Sequence, residues 1–211
     1  MAVQFAYDGQ IRRFVLQFVR MLSNFQVEFG KDEDGNRTLQ TVPVYYGDAS
    51  RQASMILRNN SENTMNAVPA MAVYISGLTY DQSRLQDPSY TQTMQIRQRQ
   101  FDPVTGTYGS EQGQNYSVER MMPAPWKLTV KLDIWTSNTN QKLQLIEQIA
   151  TLFNPSLEIQ STDNYIDWTS LSVMYLDQTT WTSRTIPVGQ DNPIDICTMK
   201  FSMPIWISSP A

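Results

Sequence analysis

Residues 123–155 read PAPWKLTVKLDIWTSNTNQKLQLIEQIATLFNP, and this block decides the fold. Leu128, Val130, Leu132 and Ile134 alternate with Thr129, Lys131 and Asp133, a period of two that predicts a strand with one buried face. Trp126 and Trp135 flank it. Asn138 or Asn140 then offers a cap for a helix on which Leu143, Ile146, Ile149, Ala150 and Phe153 recur at helical spacing. One stripe of that helix is expected on the sheet, and Pro155 ends it.

Working outward from this block, a first helix is expected from Asp8 as cap, with Ile11, Phe14, Val15, Phe18, Val19, Leu22 and Phe25 on its inner stripe. Arg12, Arg13, Gln17 and Arg20 fall off that stripe. Val27 and Phe29 start a hairpin that turns at Lys31–Arg37, where Gly35 supplies positive φ, and Leu39–Tyr46 is expected as the returning strand. Pro43 puts that strand at an edge or bulge. Asp48 caps a short expected helix over Ala49–Arg58, with Ala53, Ile56 and Leu57 inward. Pro69–Leu78 reads as a buried strand with a bulge or bend at Gly77.

From Tyr80 to Met122 the texture changes to Gln, Thr, Arg and Tyr, with Asp102-Pro-Val-Thr-Gly106 between two long polar stretches. This predicts a long hairpin or arm, too poor in aliphatic side chains to hold itself and so ordered against a neighbour. Further strands are expected at Ser170–Leu176, on the alternation of Leu171, Val173 and Tyr175, and at Ile194–Ile207, on that of Cys197, Met199, Phe201, Met203 and Ile205. Asp177–Asn192 between them is expected as a loop with Trp181, Arg184 and Gly189, whose tryptophan packs or meets a partner. The sum is an α/β chain of the α+β sandwich kind: a mixed, largely antiparallel sheet with amphipathic helices on one face and extended β-hairpin arms. One domain over 1–211, with an excursion at 80–122, suits the length.

Composition limits function. The net charge is −4, which disfavours a protein that holds nucleic acid by neutralising phosphates but suits one past which DNA slides. Without a long apolar window or a secretory core, a soluble intracellular protein is expected. Cys197 is the only cysteine, which leaves no intrachain disulfide and no multi-cysteine metal site. The chain has no histidine, which removes the commonest general base and metal ligand.

The remaining candidate sites read as bland. Asp32, Asp34 and Asn36 imitate a calcium loop, but the glycine is displaced to Gly35 and Pro43 stands where the bidentate Glu belongs. Gly106, Gly109 and Gly113 lack phosphate-loop spacing. Asp133, Glu158, Asp163 and Asp167 are the carboxylates near core segments, and strand exteriors and turns account for them. No cofactor and no metal is expected. Candidate contact residues with neighbouring subunits or partners are Asp32, Asp34 and Asn36 on the first hairpin, Arg97, Arg99, Pro103 and Tyr108 on the arm, and Trp181 and Arg184.

Four stretches in order, IRRFVLQFVRMLSNFQVEF (11–29), VPVYYGD (42–48), PAMAVYISGLTYD (69–81) and the 123–155 block, resemble the tail sheath stabiliser and completion proteins, or tail terminators, of contractile-tailed, T-even-type bacteriophages. The resemblance spans Arg12 to Tyr175. It is strongest at Pro125, Leu132, Ile134, Thr136 and the helix bearing Ile146, Glu147, Gln148, Ile149, Phe153 and Pro155. It departs from the family in ending at Pro210-Ala211 without a longer Pro- and acid-rich extension.

The resemblance implies a tail-terminator fold, no catalysis, and assembly as a homohexameric ring on the head-proximal end of the tail tube. The ring would hold the last sheath ring and join the tail to the neck, with tube, sheath and connector proteins as partners and no membrane. The location implied is the virion's tail and neck, after assembly in the host cytoplasm. Two other classes compete: a neck or head-tail adaptor that does not terminate the tube, and a carboxylate-dependent glycosidase acting through Asp163 or Asp167.

Overall fold

A computed structural model describes residues 7–47, 68–87, 89–162, 169–184 and 194–208. The elements in chain order are α1 (Gln10–Leu22), β1 (Gln26–Lys31), β2 (Arg37–Thr41), β3 (Val44–Tyr46), β4 (Ala70–Tyr80), β5 (Thr91–Asp102), β6 (Thr107–Met121), β7 (Ala124–Thr136), α2 (Thr139–Leu152), β8 (Ser156–Thr162), β9 (Thr169–Arg184) and β10 (Ile194–Ile207). The chain divides into two compact units, one made of Gly9–Tyr80 and Trp126–Ile205, the other of Met1–Asp8, Asp81–Pro125 and Trp206–Ala211. The secondary structure is mixed, mostly strands with two helices among the described residues, as the α+β expectation has it.

The larger unit is organised by a six-stranded sheet in the order β3-β4-β7-β10-β9-β8. β3 runs parallel to β4, whereas the β4/β7, β10/β9 and β8/β9 pairs are antiparallel. As the alternation predicts, Leu128, Val130, Leu132 and Ile134 are buried on β7, and so are Cys197, Met199, Phe201, Met203 and Ile205 on β10. Asp133 and Thr198 join hydroxyl to carboxylate at 2.6 Å, which puts these two on the opposite face from the apolar rows. Both apolar rows therefore share one face.

Both helices cover that face. Phe18 of α1 lies edge-on to Phe201 with ring centroids 5.0 Å apart, and Phe153, just past α2, meets the same ring at 5.1 Å. α1 buries Phe14, Val15, Phe18 and Leu22, four members of the expected stripe. Its cap differs: Gly9, in the left-handed conformation at φ 65°, takes the N-cap position expected for Asp8 and contributes no side-chain cap bond.

α2 is capped by Asn138, whose side-chain oxygen accepts from the Asn140 N–H at 2.8 Å. Ile149 and Phe153 face inward as expected, but the rest of the inner stripe is rotated from the expected one. Gln141, Lys142, Leu145 and Ile149 are buried, Ala150 is exposed, and Leu143 is 42% exposed. The hydrophobic spacing contains two overlapping i, i+3, i+4 series. The one that starts one turn from the cap wins because Lys142 finds a buried partner, described below. The flank of α2 holds the first hairpin: Glu28 N–H donates to Gln144 Oε1 and Gln148 Nε2 to Gln26 O, both at 2.8 Å.

Three further expectations are corrected in this unit. Leu39–Tyr46 is not one strand, because Val42-Pro43 breaks it: β2 pairs with β1, while β3 joins the other sheet, where the Pro43 carbonyl accepts from Met71 N–H at 2.9 Å. Asp177–Arg184 is strand rather than loop, since β9 runs on to Arg184 paired with Ile194. On β9, Ser172 and Met174 are buried, while Val173 is half-buried and Tyr175 exposed, the reverse of the expected alternation. A bulge opposite Lys200 and Phe201 then shifts the phase, so that Thr179 and Trp181 face inward with Met199 and Cys197. β8 was not foreseen. The Gly77 bulge occurs between Ile75 and Gly77 as expected. The helix expected at Ala49–Arg58, with its cap Asp48, lies outside the described residues.

In the smaller unit, β5 and β6 pair, among the described residues, only with each other and form the long antiparallel arm that the texture at 80–122 suggests. The register shifts twice, between Arg97 and Arg99 and between Arg99 and Phe101. Asp81 and Arg84 form an ion pair at 2.7 Å before the arm, and the Arg84 guanidinium lies 5.2 Å from the ring centre of Trp206.

Two substitutions on α2 separate the expected helix phase from the observed one. Leu145→Asp places an unpaired carboxylate where the side chain is wholly buried and should abolish folding, whereas Leu143→Asp should change stability by no more than about 1 kcal/mol. Phe201→Ala, which unseats both helices, should cost about 3–5 kcal/mol. Urea unfolding followed by circular dichroism measures all three; an unfolded Leu143→Asp protein would contradict the assigned phase.

Candidate interaction surfaces

A buried polar cluster lies between α2 and the β9–β10 ladder. Lys142 Nζ is 3.2 Å from an Asp195 carboxylate oxygen, and the two side chains are only 5% and 15% exposed. Thr139 Oγ1 donates to the same oxygen at 2.6 Å. The Lys142 ammonium also lies 5.1 Å from the ring centre of Trp181, which stands opposite Cys197 on the ladder. Burial pushes the neighbouring Cys197 thiol up to about 11, with the Lys142 charge pulling the other way, so the cysteine stays a protonated small hydrophobe.

Trp181 thus covers a buried ammonium with one side of its ring while half of its surface, 50%, faces solvent. The expectation that this tryptophan packs or meets a partner is met by packing on Lys142. Sequence reasoning missed Lys142 and Asp195. The available signal was the placement of Lys142 three and seven residues before Leu145 and Ile149, on one helical stripe.

The first hairpin places Asp32, Asp34 and Asn36 together in an exposed turn. Asp32 N–H donates to Asn36 O and Gly35 N–H to Asp32 O, each at 2.8 Å, and Gly35 has φ 81°. The Asp32 carboxylate accepts from the Glu33 N–H, so it serves the turn. Among the described residues, no group of three or more His, Cys, Asp or Glu is placed to hold a metal ion.

On the arm, Pro103 lies in the turn that joins β5 to β6, and Tyr108 stands opposite Phe101 with ring centroids 5.2 Å apart. Val104, between them in sequence, is 91% exposed. The turn is built on Asp102, which accepts from Val104 N–H and Thr105 Oγ1 at 2.9 Å each, with Gly106 at φ 66°. These bonds, the Val104 amide first, hold the Asp102 carboxyl below its ordinary value of 3.8. Arg97 stands opposite Asn115 in the ladder, and Arg99, opposite Gln112, is exposed. Arg184 closes β9.

The carboxylates weighed for catalysis do not converge. Asp133 is buried and takes its Thr198 bond on the sheet face away from the helices, whereas Glu158 is exposed on β8. Asp163 and Asp167 lie outside the described residues. No described helix is long and apolar enough to cross a membrane.

The model of the T4-like virus Myoviridae tail sheath stabiliser family matches residues 5–211. The chain belongs to that family. It is accordingly a structural protein of the contractile phage tail, a component of the virion, as the resemblance in the four quoted stretches implies. No curated protein matches the chain.

Two measurements test this tail protein's polar constructions. Lys142→Met leaves Asp195 buried without its cation and should cost about 3–5 kcal/mol, while the double variant Lys142→Met/Asp195→Leu should lose much less than the sum of the single changes. Additive losses would show that the pair is not coupled. At the arm tip, a lowered folded pKa means that the Asp102 contribution is present above its unfolded value and lost as pH falls through the folded one. The Val104 amide resonance should therefore titrate with a midpoint below 3.8, and a midpoint at or above that value would remove the turn bonds.

Proposed function

We propose that this tail sheath stabiliser caps the head-proximal end of the tail tube as a ring of six copies, holds the last sheath ring and joins the tail to the neck. In this reading the described units belong to one tail-terminator-like domain, with 80–122 as its arm. The protein performs no catalysis and binds no cofactor. It contacts tube, sheath and connector proteins, and it assembles in the host cytoplasm.

The β5–β6 arm is the observation that carries this reading beyond family membership. It is a ribbon whose strands pair only with each other and whose tip presents Phe101, Val104 and Tyr108 to solvent. A two-stranded ribbon is marginal in water unless a neighbour supports it. Closed rings need heterologous contacts, in which one patch of a subunit meets a different patch of the next. The arm with Arg97, Arg99, Pro103 and Tyr108, the acidic turn at Asp32, Asp34 and Asn36, and the Trp181 and Arg184 end of β9 are the proposed contacts. A net charge of −4 suits a channel along which DNA moves without being held.

The mass of the purified protein by light scattering or native mass spectrometry, followed by negative-stain imaging alone and with tail tubes, tests the proposal. The expected result is a ring of six, free or on tube ends, and tubes that stop growing when it is added. Rings that leave tube growth unchanged would favour the neck adaptor. Deleting Pro103–Gly109 should leave a folded subunit that assembles poorly, and normal rings from that variant would take the arm tip out of the interface.

A further inference from the structure

The six-stranded sheet ends in two edges of different origin but matching chemistry. At one end β3 is three residues long and, among the described residues, pairs with Met71–Val73 of β4. Beyond that pairing, β4 from Ile75 to Tyr80 has β7 on one side and, among the described residues, no strand on the other. At the opposite end β8, seven residues long, pairs among the described residues with β9 alone. Edge strands left to solvent are commonly blunted by charge, proline or a bulge. Ile75–Tyr80 carries neither charge nor proline, and its one irregularity, the bulge between Ile75 and Gly77, leaves Leu78–Tyr80 regular.

The β4 edge is also apolar on one face only. Ile75, Leu78 and Tyr80 stand opposite Val130, Leu128 and Trp126, so they continue the face that the helices cover elsewhere. They are 36%, 38% and 38% exposed, whereas Ala70–Val73 earlier on the same strand are fully buried. Tyr80 and Trp126 close the row ring to ring, 5.3 Å apart. On β8, Leu157 and Ile159 stand opposite Met174 and Ser172. That is again the helix-covered face, since Leu176, two residues on, stands opposite Phe201. Glu158 points to the other face, as do Lys127 and Lys131 of β7, opposite Thr79 and Tyr74. Laid edge to edge with helices on the same side, the two edges join apolar row to apolar row. Glu158 then comes within side-chain reach of two lysines one strand in.

We infer that the outer edge of β4, from Ile75 to Tyr80, accepts strand β8 of a second copy of this chain, so that the sheet continues from subunit to subunit. The contact is heterologous, as ring closure requires, because β4 and β8 are different patches of one subunit. Main-chain hydrogen bonds supply the attraction, and the one-sided apolar row sets the register. The inference rests on the ring proposed above and specifies its subunit contact.

Cysteine pairing tests it on the full chain, since Cys197 is buried and its thiol is held protonated. Thr79→Cys combined in turn with Ser156→Cys, Glu158→Cys or Gln160→Cys should give, for one combination, a ladder of disulfide-linked oligomers that collapses on reduction. Each single substitution should give none. Leu78→Lys should leave the circular dichroism spectrum unchanged and raise the concentration needed for assembly at least tenfold. Rings that form without any ladder, or that tolerate Leu78→Lys, would overturn the edge pairing and leave the ring standing. A ladder from a single substitution would replace it with a two-fold contact, and a monomer at every concentration, with and without tubes, would overturn both the pairing and the ring.

Discussion

The Phe201 ring is the point on which the larger unit depends. It sits on β10, an interior strand of the sheet, and receives Phe18 from α1 and Phe153 from the end of α2. Aromatic pairs at these separations contribute about 0.5–1.5 kcal/mol each beyond the area they bury. Their larger consequence is geometric. Two helices far apart in sequence are fixed over one strand, so the Gln26 and Glu28 backbone can find Gln148 and Gln144 on the flank of α2. The first hairpin is thus carried by a helix whose C-terminal end rests on that phenylalanine.

A second constraint acts at the other end of α2. An ammonium and a carboxylate taken out of water cost several kcal/mol, and their pairing, the Trp181 ring on Lys142 and the Thr139 hydroxyl donated to Asp195 only offset that cost. Leucine at the same position would bury with less risk. What the ion pair adds is discrimination, because a rotated or shifted α2 would leave a buried charge alone. It therefore resolves the two hydrophobic phases that meet at Ile149, turning Leu145 inward and leaving Leu143 exposed.

Much of this was legible from residue order. The alternation on β7 and on β10, the inner stripe of α1, the Gly77 bulge and the turn at Gly35 all follow from local rules, and the structure agrees with each. The misreadings share a cause, which is that a non-local partner outweighed a local pattern. Leu171, Val173 and Tyr175 alternate as well as any core strand. Yet Ser172 is turned inward to donate its hydroxyl to the Pro204 carbonyl, and the bulge at Asp177 restores the phase for Trp181. Lys142 was invisible as a core residue because its partner lies 53 positions further along the chain. Pro43 carried a correct warning about ladder pairing, but not that the strand would leave one sheet and enter another. For the proposed interaction surfaces, the arm was legible from its composition, whereas the β4 edge is defined by what, among the described residues, fails to pair with it. A sequence does not display such an absence.

The division between these features has a consequence for assembly. In the proposed ring, a chain with few clustered charges cannot gather its copies through long-range attraction, and at physiological salt such attraction fades beyond about 8 Å. The proposed contacts through a strand edge and an arm tip are short-ranged and directional, and each costs ordering entropy before it returns any free energy. They are weak singly and strong when several are satisfied together, as on a preformed circular end. A subunit of this kind can remain dispersed at low concentration and still close tightly on a template. An exposed edge would otherwise endanger such a protein, but here the bulge between Ile75 and Gly77 breaks the edge's regular register. That irregularity hinders indiscriminate pairing while leaving Leu78–Tyr80 open to a strand that arrives held in place by its own sheet.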